Sequence, residues 1–253
     1  MAPWPVALYL CILGLFLGSF ALTTGQRLLA GASLLQRSTC PHCSKPIGPI
    51  GLFPVLGWLL LKGRCRHCAA PIPLLHPFSE ALAGLAALIL WWVTGDFWLS
   101  LYWLCLGAGL LLISWLDLIS GQIYTLPIMG LLFLQALWYG LVDPTGLVDG
   151  LIGLLVGAGL FHWISTLFLA IRGKPGLGEG DASLMGLLGF ALGYQAILPI
   201  VFLSSLLGLV IGGGWLAFKR QGLSQAIPFG PFLALATGVF AIAPNIWQKL
   251  FHL

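Results

Sequence analysis

The chain has 253 residues, of which 59% are hydrophobic and only 7% charged, and its mean hydropathy is +1.02. A soluble domain carries about 25% charged residues, so this composition excludes a soluble globular protein and predicts an integral membrane protein. The net charge of +4 is that expected of a membrane protein with Lys and Arg in its cytoplasmic loops, and it requires no nucleic-acid partner.

Eight apolar segments approach or exceed the ~20 residues that a membrane-spanning helix needs. They cover residues 4–22, 77–94, 97–116, 123–142, 147–171, 182–195, 197–218 and 229–247, of which the sixth is short. The predicted fold class is therefore an all-α polytopic membrane protein with about eight transmembrane helices. No Lys or Arg precedes the first segment, so it lacks the charged start of a secretory signal, and we expect it to stay attached.

The basic residues lie almost entirely on one side of these segments. With the N-terminus outside, only Lys249 of the 11 Lys and Arg lies outside, and the cytoplasmic loops hold all the others. The cytoplasmic set is Arg27, Arg37, Lys45, Lys62, Arg64, Arg66, Arg172, Lys174, Lys219 and Arg220. Cytoplasmic loops of membrane proteins are enriched in Lys and Arg, so the pattern favours both this direction and the count of eight.

One long polar interruption, residues 23–76, separates the first two segments and predicts a small cytoplasmic module. It contains two C-x-x-C pairs, Cys40 with Cys43 and Cys65 with Cys68, separated by 21 residues, slightly more than the usual zinc-ribbon spacing of about 15–20. Such pairs suit a tetrahedral thiolate site for structural zinc. Two disulfides are the alternative, which the reducing cytoplasm disfavours. No internal repeat is evident.

Two of the seven Asp and Glu residues lie where apolar segments meet the predicted cytoplasmic face. Asp117 ends the third segment, and Asp181 opens the sixth after the flanking glycines Gly178 and Gly180. Carboxylates near hydrocarbon are costly and usually functional, and two that share one proton can perform aspartic-protease chemistry. By itself, G-x-G-D also fits a Gly-rich loop with a helix-capping Asp.

A second class of function is a transporter in which Asp117 and Asp181 relay protons across the bilayer. The cytoplasmic cysteine module and the lack of a visible inverted repeat count against a transporter.

Taken in order, the motifs resemble those of the bacterial type IV prepilin peptidases, which are GxGD intramembrane aspartic proteases and prepilin leader peptidase/N-methyltransferases. The resemblance covers nearly the whole chain. It rests on "GSF" at 18–20, "RSTCPHC" at 37–43, "GRCRHC" at 63–68, "HPFSE" at 76–80, "DLISGQI" at 117–123, "GLGEGD" at 176–181 and "IPFGPFLALA" at 227–236.

This resemblance implies three parts: a first transmembrane helix at 1–22, a cytoplasmic zinc-binding module at 23–76 and a membrane-embedded aspartic peptidase domain at 77–253. It carries the catalytic pair over onto Asp117 and Asp181. It also implies positioning of the substrate or a loop by Gly178, Gly180, Pro228, Gly230 and Pro231.

The activity implied is cleavage of the basic leader of type IV prepilins or type II secretion pseudopilins at the cytoplasmic face of the inner membrane, with the N-terminus of the enzyme in the periplasm. Many members of the family then methylate the new amino terminus with S-adenosylmethionine. The expected partners are these precursors and the lipid bilayer.

Some positions depart from the family pattern. Leu22 and Leu75 replace an Asn and an Arg in the half of the chain tied to methylation, Ser183 replaces a Lys, and Tyr124 replaces a Pro. The peptidase activity is therefore a firmer expectation than the methyltransferase activity, and a weakened relative that binds or sorts pilins is a third possibility. Glu80 is a candidate for a methyltransferase role, or alternatively an interfacial Glu at a helix start.

Overall fold

A computed structural model describes residues 4–173, 178–215 and 228–242. Over these residues the protein is helical, and its β-structure is limited to two isolated bridges. The helices are α1 (Trp4–Leu29), α2 (Leu56–Leu60), α3 (Leu75–Thr94), α4 (Phe97–Ser120), α5 (Thr125–Leu141), α6 (Leu147–Arg172), α7 (Glu179–Leu192), α8 (Ile197–Leu207) and α9 (Gly230–Ile242). A π-helical turn, Gly208–Gly213, continues α8.

Five stretches within the described residues are long and apolar enough to cross a membrane: Trp4–Leu29, Leu75–Thr94, Phe97–Ser120, Pro144–Arg172 and Tyr194–Gly213. Helices α5 and α9 are apolar but shorter. Helix α7 has 14 residues and is therefore about 21 Å long at 1.5 Å per residue, less than the ~30 Å of bilayer hydrocarbon. The all-helical membrane fold is thus confirmed with five candidate spans among the described residues, and the count of eight is not. The predicted segments 197–218 and 229–247 end outside the described residues.

The outward faces of the helices are apolar, as a bilayer requires. Trp92 is 85% exposed, Leu141 79% and Leu155 73%. Exposed apolar surface on this scale is unusual in a soluble monomer, whereas lipid solvates it.

The chain divides into two compact units, Met1–Leu112 and Ile113–Leu253, and α4 contributes to both. In the first unit, α1 packs along α3. A Cβ at Gly14 would lie 2.6 Å from the Ala83 carbonyl oxygen, and one at Gly18 would lie 2.6 Å from that of Ser79. The glycines of α1 therefore let two backbones touch, as expected for helices that associate without a hydrophobic driving force.

In the second unit, α7 is held between α5 and α6. Gly153 of α6 and Gly189 of α7 bring their backbones into direct contact, so that neither position has space for a Cβ. The Tyr139 hydroxyl of α5 donates to the Phe190 carbonyl at 2.8 Å. These contacts fix the helix whose first turn carries Asp181.

Candidate active site and metal centre

Asp117 lies near the end of α4 and is only 5% exposed. Its Oδ2 accepts a hydrogen bond from the backbone N–H of Gly230, the first residue of α9, at 2.9 Å. A Cβ built on Gly230 would lie 2.9 Å from the same oxygen. The last described helix therefore begins directly against this carboxyl group.

Asp181 lies in the first turn of α7, outside the five candidate spans. Its Oδ2 accepts from the Gly178 N–H at 3.2 Å, and its own N–H donates to the Gly178 carbonyl at 3.1 Å. The side chain thus reaches back to the residue before the helix, as in a capping box. The capping interpretation of G-x-G-D is correct for the local geometry, and it leaves one carboxyl oxygen for other chemistry.

The two carboxyl groups act on each other although they are remote in the chain. The pKa of Asp181 is raised to about 6, first by burial and then by the negative charge of Asp117, while the Gly178 N–H works in the opposite direction. A nearby cation would instead have lowered the pKa of Asp181. The two acids, on separate helices, therefore lie close enough for the charge of Asp117 to oppose ionisation of Asp181.

The other predicted positions lie around this pair. A Cβ at Gly180 would lie 2.6 Å from Cβ of Ile123, so the start of α7 presses against the segment that follows α4. Pro228 and Pro231 flank Gly230 and are both half-buried. Their role beside a substrate remains a prediction.

The four cysteines of the predicted zinc site come together in the first unit. Their Sγ atoms all lie within 4.8 Å of one another, and those of Cys40 and Cys68 are 3.8 Å apart. A tetrahedral site with Zn–S bonds of about 2.3 Å requires sulfur atoms about 3.8 Å apart. All four are free thiols. The pKa of Cys65 is lowered to about 6 because the backbone N–H groups of His67 and Cys68 stabilise its thiolate, the form that binds metal. The hydrogen bond from the Ala70 backbone lowers the pKa of Cys68, but burial and the neighbouring sulfur atoms outweigh it and raise this pKa to about 12.

The two cysteine turns are copies of each other, which the sequence analysis missed. In each turn the N–H of the first cysteine, Cys40 or Cys65, donates to the carbonyl of the sixth residue, and the N–H of the fifth residue donates back to the cysteine carbonyl. The fifth residues, Ser44 and Ala69, both have φ of 57°. The signal was available as C-x-H-C-x-x-P-I at 40–47 and again at 65–72.

Glu80 is buried, at 6% exposure, in the second turn of α3. Its Oε2 accepts from the N–H of Val55 at 2.7 Å, and Val55 has a φ of 59°, which a β-branched residue rarely adopts. The interpretation of Glu80 as an interfacial residue at a helix start is therefore wrong. Glu80 instead holds the loop between the cysteine turns.

A cavity of about 610 Å³ opens beside Glu80, within the first unit. Its walls include Trp58, His76 and the basic residues Arg27 and Arg37. The volume lies within the range of about 300–1,000 Å³ that is typical of small-molecule sites. The cavity therefore combines space, one buried carboxyl group and several cations.

The chain is similar to known proteins over most of its length. The family model described as "Bacterial Peptidase A24 N-terminal domain" matches residues 12–94, and the one described as "Type IV leader peptidase family" matches residues 104–213. The chain is 37% identical over 209 residues to a prepilin leader peptidase/N-methyltransferase of Aeromonas hydrophila, covering 80% of this chain and 70% of the relative. It is 33% identical over 267 residues to the protein of the same name from Stutzerimonas stutzeri, covering 93% and 91%. No solved structure matches the chain.

Proposed function

The chain belongs to the type IV leader peptidase family, and from this premise we propose that Asp117 and Asp181 are its catalytic pair. The observation that supports the proposal is that the charge of Asp117 acts on Asp181 and raises its pKa, although the two carboxyl groups belong to different helices. Family membership gives no support to the alternative of a proton-relay transporter.

The chemistry follows from a pair that holds one proton. The ionised carboxylate removes a proton from water, and the resulting hydroxide attacks the scissile carbonyl carbon. The protonated carboxyl group then donates its proton to the leaving amine nitrogen as the C–N bond breaks. Water is consumed, and the products are a carboxylic acid and a new amino terminus.

The proposed substrates are type IV prepilins or type II secretion pseudopilins, cut between a basic leader and an apolar helix. A peptide bond inside a helix is shielded by its own hydrogen bonds, so a membrane protease must unwind its substrate. The proposed cut lies at the membrane surface beside the Gly-rich start of α7, where unwinding is less costly. The distribution of Lys and Arg supports an inner-membrane protein with a periplasmic N-terminus and a cytoplasmic site.

For the N-terminal part we propose a zinc-binding module that follows α1 (Trp4–Leu29) and runs to residue 76, ahead of a peptidase domain at 77–253. The sulfur spacing supports zinc, which would be bound by Cys40, Cys43, Cys65 and Cys68. Four thiolates fill a tetrahedral site and leave no position for a substrate, so the metal would stabilise the module rather than react.

For the second activity in the relatives' names, we propose that S-adenosylmethionine binds in the 610 Å³ cavity. It would supply a methyl group to the new amino terminus. Its cationic sulfonium and ammonium groups suit the buried carboxyl group of Glu80, and its carboxylate suits Arg27 or Arg37. Leu22 is buried in α1, so its replacement of a polar residue removes a potential hydrogen-bonding group from this half of the chain.

The peptidase proposal is tested with purified protein in detergent and a prepilin substrate, by following leader release. Asp117→Asn and Asp181→Asn should each lower kcat on the order of a thousandfold or more, as for other catalytic groups that act as a unit. Glu179→Gln is the matched control, because Glu179 is an exposed carboxylate two residues from Asp181. Near-wild-type cleavage by either Asn variant would reject the catalytic pair.

A further inference from the structure

The first turn of α9 directs one backbone N–H group out of the helix. The N–H groups of Phe232 and Leu233 both donate to the Phe229 carbonyl, at 3.0 and 3.1 Å. The N–H of Gly230 donates instead to Oδ2 of Asp117, at 2.9 Å and in a buried position. First-turn N–H groups lack partners within the helix, so a side chain 113 residues away in sequence caps α9.

The absence of a side chain at residue 230 matters as much as the hydrogen bond. A Cβ there would lie 2.9 Å from Oδ2 of Asp117 and 3.5 Å from its Cβ and Cγ. The next residue, Pro231, has no N–H and favours the first turn of a helix, so it holds the turn without offering a second donor. Any residue larger than glycine would push the carboxyl group away from the N–H that binds it.

We propose that Gly230 is a positioning residue, which fixes Asp117 as the ionised member of the pair and so leaves the proton on Asp181. This inference rests on the proposed function. With Oδ2 bound by the helix terminus, Oδ1 is the oxygen that receives the proton from water. The positive end of the α9 dipole stabilises the same negative charge.

The two carboxyl groups are bound unequally, which supports this division of roles. Asp117 accepts a buried bond of 2.9 Å, whereas the bond from Gly178 to Asp181 is exposed and 3.2 Å long. Hydrogen bonds to an ionised acceptor are shorter and stronger than neutral ones. Burial and the charge of Asp117 raise the pKa of Asp181, so it takes up a proton more readily than a free carboxyl group, as a proton donor to the leaving amine must.

The test compares Gly230→Ala with Gly238→Ala in the same cleavage assay. Gly238 lies in the same helix, and a Cβ there meets nothing within 4 Å. We expect Gly230→Ala to lower kcat about 10- to 100-fold with KM within about twofold of wild type, and Gly238→Ala to match wild type in both. A folded Gly230→Ala enzyme with wild-type kcat overturns the inference, and so does a raised KM with unchanged kcat, which would indicate contact with substrate.

A second variant covers the case in which Gly230→Ala does not fold. Glycolic acid placed at residue 230 by cell-free translation replaces the N–H with an oxygen and adds no atom, so only the donor is lost. It should lower kcat by a similar factor, and wild-type kcat would overturn the inference. Asp117→Asn and Asp181→Asn are measured in the same series. If they are inactive while the residue-230 variants are active, only the positioning role fails; if they are active, the proposed function fails.

Discussion

The backbone contact between α6 and α7 can be tested by adding one carbon atom. A Cβ at Gly153 would overlap the carbonyl oxygen of Gly189 and would lie 2.6 Å from its carbonyl carbon and 2.9 Å from that of Gly193. Ordinary contact begins at 3.4 Å, so the carbonyl carbon alone requires the helices to separate by about 0.8 Å, and the nearer carbonyl oxygen requires more. The atoms that it meets belong to the backbone and cannot rotate away.

The matched control is Gly159→Ala in the same helix, where a Cβ meets nothing within 4 Å. Both changes gain the same helix propensity of roughly 0.5–1 kcal/mol, so their difference isolates the packing cost. Overpacking typically costs about 1–3 kcal/mol. At about 2–4 °C per kcal/mol for a chain of this size, we expect the Tm of Gly153→Ala to lie about 2–12 °C below that of Gly159→Ala.

The assay is thermal unfolding of the purified proteins in one detergent, followed by leader cleavage at a temperature where both variants are folded. Because α7 carries Asp181 in its first turn, Gly153→Ala should also cleave more slowly than the control. Equal Tm values for the two variants would refute the claim that these backbones touch.

Three further predictions concern single sites. Asp181→Asn should raise Tm at pH 7 relative to wild type, and this gain in Tm should shrink as the pH falls from about 6 towards 4. The reason is that folding raises the pKa of Asp181 to about 6 from 3.8, so the folded protein binds more protons than the unfolded one in that range. A gain in Tm that does not depend on pH would contradict this prediction. The double variant with Cys40→Ser and Cys65→Ser should lose about one zinc per chain, as measured by metal analysis, whereas the control Cys105→Ser, in an apolar helix, should retain it. Equal zinc content in the two variants would reject the site. Glu80→Ala should increase proteolysis of the loop that contains Val55, whereas Glu80→Gln keeps an acceptor oxygen and should protect it; equal cleavage of the two variants would exclude the hydrogen bond as the cause.

Hydropathy predicted the positions of the helices better than their ends. The first span was predicted at 4–22, but α1 continues to Leu29. The turns beyond residue 22 contain polar residues, including Gln26 and Arg27, and helical hydrogen bonds do not depend on side-chain polarity. Arg27 then donates to the Leu34 carbonyl at 2.6 Å, which ties the departing chain to the helix. An apolar pattern therefore marks where lipid is expected, and not where a helix stops.

The candidate site was predictable in its residue types and not in its contacts. G-x-G-D and the membrane position of Asp117 indicated two acids, and the C-x-x-C pairs indicated four sulfurs. The hydrogen bond from Gly230 to Asp117 joins residues 113 positions apart, and no local periodicity encodes such a pairing. The burial of Glu80 likewise depends on Val55, whose strained backbone gives no signal in a single sequence.

The duplication of the cysteine turns bears on how this part of the chain can vary. Each turn closes with its own backbone hydrogen bonds and presents two sulfur atoms without help from the other. The connecting stretch of 21 residues must only bring the two turns together, and the closure entropy of such a loop changes slowly with its length. Insertions or deletions in that connection should therefore be tolerated by the sulfur cluster, whereas a single residue gained or lost inside either turn should abolish it.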